Sequence, residues 1–117
     1  MQIVAEAAAH YADAGYFTII DGIVSPRWFL QPLRDCLLAT GHSVAYAVLR
    51  APLPTCLARA ASRESDQLSD ATVVERLWHD FTELGPLEPY VIDSGAQAAD
   101  AIVTTLTERL PIDLLLA

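Results

Sequence analysis

Residues 44–50 read Val-Ala-Tyr-Ala-Val-Leu-Arg, an apolar run that ends on a charged side chain. Two further runs end in the same way: residues 17–21 read Phe-Thr-Ile-Ile-Asp, and residues 90–93 read Tyr-Val-Ile-Asp. Turn residues follow each run, and then a segment with apolar side chains at helical spacing. This alternation predicts buried strands separated by helices, the pattern of an α/β fold with a mostly parallel sheet.

The charged residues that close these runs are Asp21, Arg50 and Asp93. Parallel strands have their carboxyl ends at one rim of the sheet, and ligands of open α/β folds bind at that rim. A charge is costly inside a core but useful just outside it. We therefore expect Asp21, Arg50 and Asp93 to lie along one rim and to mark the functional site.

The chain has 117 residues, a length that favours a single α/β domain, and we expect a three-layer arrangement of a mostly parallel sheet between flanking helices. The predicted helices cover residues 2–14, 26–40, 53–64, 72–84 and 96–109, the predicted strands cover 16–21, 43–50 and 89–93, and an apolar tail covers 111–117.

Helix-capping signals mark several of these boundaries. Ser25 precedes Pro26, as an N-cap precedes proline at the first helical position. Asp70 or Thr72 can cap the fourth helix, and residues 94–97 resemble a capping box for the last one. Gly15 stands where a left-handed glycine ends the first helix.

Composition excludes several classes of function. The formal net charge is −8, with seven arginines and no lysine, which disfavours binding to a nucleic-acid backbone. No apolar stretch is long enough for a membrane span and no secretory signal is visible, so a cytoplasmic protein is expected. Cys36 and Cys56 lack metal-site spacing, so both are interpreted as reduced, buried thiols. Trp28 and Trp78 are expected in the core.

Three arginines fall within fourteen residues. Arg59 and Arg63 are four apart on a predicted helix, and Arg50 closes the strand before it. Together they can hold an oligophosphate and offset charge that develops during phosphoryl transfer. The alternative is that they are solvated and pair with Glu64 or Asp66.

The two strand-end carboxylates also allow two interpretations. Asp21, before Gly22, can hold Mg²⁺ or accept a proton from a hydroxyl, or it can simply cap a turn. Asp93 has the same alternatives, and the Ser94 and Gly95 that follow it favour a role in capping a helix.

Three segments carry a resemblance to a known family: AGYFTIIDGIVSPRWF (14–29), YAVLRAPLPTCLARAASRE (46–64) and LWHDFTELGPLEPYVIDSG (77–95). They resemble the distal two-thirds of small P-loop kinases, in particular the AAA-type ATP-binding group that includes chloramphenicol phosphotransferase-like and zeta-toxin-like proteins. The resemblance runs from about residue 5 to about residue 110. Its most specific part is Leu-Arg-Ala-Pro at 49–52, followed by Arg59 and Arg63.

The resemblance implies an ATP- and Mg²⁺-dependent phosphotransferase acting on a small molecule with a hydroxyl. Asp21 resembles the Walker B carboxylate near Mg²⁺, and the arginines resemble those of the family's lid-like helix. The implied catalytic residues are Asp21, Arg50, Arg59 and Arg63, with Asp21 also the implied metal ligand. The implied nucleotide-binding residues are Arg59, Arg63, Asp93, Ser94 and Gly95.

The sequence departs from the family in its phosphate-binding loop. Those kinases begin with a strand and a GxxxxGK[ST] loop, whereas this chain has no lysine and no glycine-rich loop. Three outcomes stay open: strand 16–21 pairs directly with strand 43–50, another chain covers the gap, or an N-terminal segment is missing. We therefore expect an incomplete P-loop NTPase-like fold that is inactive alone, and either a homo-oligomer or a missing N-terminal segment. The alternative is a non-catalytic oligomerisation or regulatory module derived from a kinase.

Overall fold

A computed structural model describes residues 2–63, 69–110 and 112–116. The described chain divides into two units. The first contains residues 2–45 and 115–116, and the second contains residues 46–63, 69–110 and 112–114. Helices and parallel strands are both present, so the chain is α/β as its sequence predicts.

The first unit is built on two helices, α1 (Gln2–Asp13) and α2 (Gln31–Leu38). The face of α1 that is buried consists of small side chains, Ala5, Ala8 and Ala9, and α2 contributes Leu33. Small residues at i, i+3 and i+4 allow close approach of another element along a narrow stripe. Gly15 follows α1 at φ +93°, the left-handed conformation that its position predicts.

A π-helical turn, Pro26–Leu30, leads directly into α2. The Ser25 hydroxyl accepts a hydrogen bond from the Arg27 N–H, which confirms the predicted cap, and Pro26 occupies the first turn. The Ser25 carbonyl accepts bonds from the Phe29 and Leu30 N–H groups. Pro32 has no N–H to offer the Trp28 carbonyl four residues back, which is consistent with the regular α-helical ladder starting only after this turn.

The predicted strand 16–21 is wrong. No residue of this segment is assigned to a strand, and no backbone hydrogen bond joins residues 17–23 to another described residue. The side chains of Phe17 and Ile19 are 78% and 77% exposed. The only strand-like contact described in this unit is an antiparallel bridge between Ala45 and Leu115.

The second unit contains a parallel pair of strands, β1 (Val48–Arg50) and β2 (Val91–Asp93). Val48 pairs with Val91, Leu49 with Ile92 and Arg50 with Asp93. Within the described residues the sheet therefore has two strands, and the structure does not contain the predicted three-layer sheet. Strand 43–50 is shorter than predicted because only its last three residues pair with a neighbour.

Helices connect and follow these strands, as parallel pairing requires. Helix α3 (Leu53–Ala61) and helix α4 (Ala71–His79) precede a 3₁₀ turn (Gly85–Tyr90), and α5 (Ala99–Arg109) follows β2. The Asp70 carboxylate accepts bonds from the Thr72 and Val73 N–H groups, so Asp70 is the cap of α4. The predicted capping box at 94–97 is wrong, because α5 begins after Ala98 without a side-chain cap.

The core of the second unit lies where β1 and β2 meet the adjoining helices. Its most buried apolar residues are Val48, Ala51, Ala60, Ile92 and Leu114. Leu114 is fully buried, and its carbonyl accepts a bond from the Tyr46 N–H, so the predicted apolar tail is docked at this residue. Burial raises the pKa of the Tyr46 hydroxyl to about 12. The prediction that Trp28 and Cys36 are buried is wrong: in the first unit Trp28 is 61% exposed, and Cys36 is exposed as well.

Close packing of the loop after β2 generates a stability prediction. A Cβ atom added at Gly95 would lie 2.7 Å from Pro52 Cδ and 3.4 Å from Ala51 Cβ. Gly95→Ala should therefore force a shift of the loop and lower the free energy of unfolding by about 1–3 kcal/mol, as overpacking usually does. Gly22→Ala is the matched control, because nothing lies within 4 Å of a Cβ added there. Equal stability of the two variants in urea denaturation would contradict this packing.

Candidate functional site

The carboxyl ends of β1 and β2 lie side by side and carry Arg50 and Asp93 in register. Two of the three predicted strand-end charges are therefore brought together. The Ser94 N–H donates to the Arg50 carbonyl at 2.9 Å, so the strand contact continues one residue into the following loop. Asp21 is not part of this arrangement of strands, since its segment forms no strand and belongs to the first unit.

Arg50 makes a two-pronged ion pair with Glu88, on the 3₁₀ turn. Arg50 Nη1 lies 2.9 Å from Glu88 Oε1 and Arg50 Nη2 lies 2.9 Å from Glu88 Oε2. Nη1 also donates to the Phe81 carbonyl at 3.1 Å. Such a bidentate geometry is the stronger and more directional form of an arginine–carboxylate contact. Arg50 is thus used to hold the 81–88 segment against the end of β1.

Glu88 completes this contact with a backbone bond. Its Oε1 accepts from the Leu84 N–H at 3.0 Å. The hydrogen bonds from Arg50, followed by that from Leu84, lower the pKa of Glu88 to about 2 from its ordinary value of 4.5. The same pairing raises the pKa of Arg50 above its ordinary value. No sequence pattern indicates a role for Glu88, which lies 38 positions after Arg50.

Asp93 is held by the loop that follows it. Its Oδ1 accepts from the Gly95 N–H at 2.7 Å, and its carbonyl accepts from the Gln97 side-chain amide at 2.9 Å. This is a turn-capping geometry, which is one of the two roles that its position allows. The carboxylate nevertheless stays exposed and lines the neighbouring cleft.

Arg59 and Arg63 are separated by the end of α3. Arg59, in its last turn, donates from Nη2 to the Ser94 carbonyl at 2.9 Å. Arg63 lies two residues beyond Ala61, where α3 ends, so the prediction that Arg59 and Arg63 lie on one helix is wrong. Glu64 and Asp66, the alternative partners of these arginines, lie outside the described residues.

A cleft of about 540 Å³ opens beside the two strand ends. Its lining residues come from the end of β1, from α4, from the turn after α4 and from β2: Arg50, Ala51, Pro52, Trp78, Thr82, Glu83, Glu88, Val91 and Asp93. The Trp78 indole N–H donates to the Ala51 carbonyl at 2.8 Å, so Trp78 is fixed as a wall of the cleft rather than fully buried. Glu83 has φ +50°, an uncommon conformation for a residue with a side chain.

The described ranges contain no large cluster of metal-ligating side chains. No group of three or more His, Cys, Asp or Glu side chains there could hold a metal ion. Asp21 is exposed and makes no hydrogen bond or ion pair with another described residue. Mg²⁺ at a phosphoryl-transfer site commonly uses one or two carboxylates with water and substrate oxygens, so Asp21 fits such a role as a single ligand.

Comparison with known proteins adds no relatives. A scan against protein-family models found no match, and a search of curated proteins also found none. Among the described residues, no helix combines the length and the apolar composition that crossing a bilayer requires.

The Arg50–Glu88 pair predicts a specific acid response. Because the folded-state pKa of Glu88 is lowered, its stabilising contribution is present above about pH 4.5 and is lost as the pH falls towards about 2. Glu88→Gln should lower the free energy of unfolding at neutral pH, and its difference from the unsubstituted protein should shrink over that acid range. Glu108→Gln, an exposed substitution on α5, is the control. A difference that stays constant between pH 7 and pH 2.5 would contradict this assignment.

Proposed function

We propose that this chain is an ATP-dependent phosphotransferase-like domain of the small-molecule kinase type, which does not turn over on its own. The observation that supports this most is the parallel register that sets Arg50 beside Asp93, with α3 starting immediately after β1. That arrangement is the rim at which open α/β folds bind ligands. The proposal includes an incomplete P-loop NTPase-like fold, and the two parallel strands are compatible with such a fold.

Arg59 is the best-placed cation for the nucleotide phosphates. Its contact with the Ser94 carbonyl holds the guanidinium at the loop that the family resemblance associates with the nucleotide. Arg59 is exposed and does not line the acidic cleft, so a phosphate that approaches it does not have to enter that cleft. Arg63, two residues beyond the end of α3, is the second candidate for a contact with the phosphates.

Arg50 has a positioning role in this proposal. Its two terminal nitrogens are already engaged by Glu88 and Phe81, which leaves little capacity for a phosphate. Asp21, in the first unit, is the Mg²⁺ ligand that the family resemblance implies. In the transfer itself, the acceptor hydroxyl oxygen bonds to the γ-phosphorus, the bond from that phosphorus to ADP breaks, and the hydroxyl proton leaves to a base.

Turnover by the 117 residues should be negligible. The sequence has no GxxxxGK[ST] motif and no lysine, so it lacks the backbone cradle and the cation that hold the β- and γ-phosphates in P-loop enzymes. Arg59 and Arg63 supply charge but no cradle.

Calorimetric titration with MgATP tests the nucleotide role of Arg59. Arg59→Ala should weaken binding about fivefold, the effect of losing one exposed ion pair of about 1 kcal/mol. Arg76→Ala, which removes an exposed arginine from α4, should leave the affinity unchanged. Unchanged affinity in Arg59→Ala, or no binding by the unsubstituted chain, would contradict the proposal. Turnover typical of kinases would contradict the expected inactivity.

A non-catalytic oligomerisation or regulatory module is the second candidate. It is favoured by the exposed apolar side chains of the irregular segment 16–23, among them Tyr16, Phe17 and Ile19. Exposed apolar groups that adjoin one another commonly mark a contact surface. Light scattering distinguishes the two candidates when combined with the titration: a dimer that ignores MgATP supports the module, and a monomer removes this argument for it.

A further inference from the structure

The cleft beside β1 and β2 has walls of two kinds. Trp78 and Pro52 provide apolar surface, and the Trp78 side chain is fixed by its bond to the Ala51 carbonyl. The rest of the lining is charged, with one arginine and three carboxylates: Arg50, Glu83, Glu88 and Asp93. Concave sites that combine apolar walls with a few polar groups are the usual form of small-molecule sites.

The charges in this lining do not balance. Arg50 and Glu88 neutralise each other through their two-pronged pair. Glu83 and Asp93 have no cationic partner among the described residues, and both side chains are exposed at the cleft. The side chains that line the cleft therefore carry a net negative charge, which favours a cation over an anion as the ligand that contacts them. This is the wrong sign for a phosphate and the right sign for an amine.

A bare metal ion is the less suitable cation for this cleft. In the described ranges no three acidic, histidine or cysteine side chains come close enough to share one. An organic cation makes different demands: its ammonium needs one or two carboxylates, and its carbon stem needs apolar surface. Glu83 or Asp93 meets the first demand, and the apolar surface of Trp78 and Pro52 meets the second. Tryptophan is also the aromatic side chain that cations prefer.

We propose that this cleft binds a small organic cation, a primary amine with a short carbon stem, with the ammonium at Glu83 and Asp93 and the stem against Trp78. If the phosphotransferase proposal holds, on which this last step rests, the amine carries a hydroxyl and is the phosphate acceptor. Phosphates are then held at Arg59, which does not line the cleft, and the acceptor occupies the cleft.

Three probes of similar length test the proposal without nucleotide: a linear aminobutanol with terminal groups, a terminal pentanediol and a terminal hydroxypentanoate, which are cationic, neutral and anionic. The readout is the indole N–H resonance of Trp78 by NMR. Trp28, in the first unit, is the internal control and is assigned with Trp28→Phe. Aminobutanol should shift the Trp78 resonance in a saturable way, while hydroxypentanoate should not, and the Trp28 resonance should stay in place.

Charge-removing variants of similar shape locate the ammonium. Glu83→Gln and Asp93→Asn should each weaken aminobutanol binding roughly twofold to fivefold, the range for an exposed ion pair. Glu108→Gln, outside the cleft, should leave it unchanged. If Asp93→Asn disturbs the turn at Gly95, Glu83→Gln carries the test alone.

Three results would overturn the inference: hydroxypentanoate binding as well as aminobutanol, equal shifts at both tryptophans, or no saturable shift at Trp78. Failure of MgATP to bind leaves these results unaffected, so loss of the kinase proposal and loss of the amine site are separate outcomes.

Discussion

The pairing of residues 48–50 with 91–93 is the constraint on which the site depends. Strands of three residues are too short to hold together by their own ladder, and isolated two-stranded sheets are marginal in water. Burial supplies part of the stabilisation, since Val48 on one face of the strand pair and Ile92 on the other are both buried. The Ser94 N–H bond to the Arg50 carbonyl and the Trp78 bond to the Ala51 carbonyl fix the strand ends from outside the ladder.

Strand-end charge has a different use here from the one its position first indicates. Arg50 joins β1 to the 3₁₀ turn through Glu88, and this contact also holds the Leu84 N–H. The arginine thereby shapes one wall of the cleft and is not left free to bind an anion. Arg59, by contrast, is exposed and contacts only the Ser94 carbonyl among the bonds found at the strand ends, while the lining of the cleft has more carboxylates than arginines.

Local signals explain what the sequence could predict. Helix α1 was predicted from apolar residues at helical spacing, and the helix is present although Ile3, Val4 and Tyr11 of that pattern are exposed. The caps at Ser25 and Asp70 follow from side chains that bond to N–H groups two or three residues away. Each of these interactions lies within one turn of the chain. The parallel direction of β1 and β2 was also predictable, because helices between two strands leave little alternative.

Long-range partners explain what the sequence could not predict. Residues 17–21 have the composition of a strand, but a strand also needs a neighbour to take its N–H and C=O groups, and composition does not specify one. The apolar stripe of α4 continues to Leu84, yet the helix ends at His79 and the chain turns at Glu83. Glu88 has no local signal at all, since its role exists only through Arg50.

Nuclear Overhauser contacts between the two strands test this account most directly. The parallel register predicts cross-peaks between the backbone protons of Leu49 and those of Val91–Asp93, together with slow exchange of the Ser94 amide. Cross-peaks in an antiparallel pattern, or none between residues 48–50 and 91–93, would contradict the account, because Arg50, Asp93 and the cleft would then have no common frame.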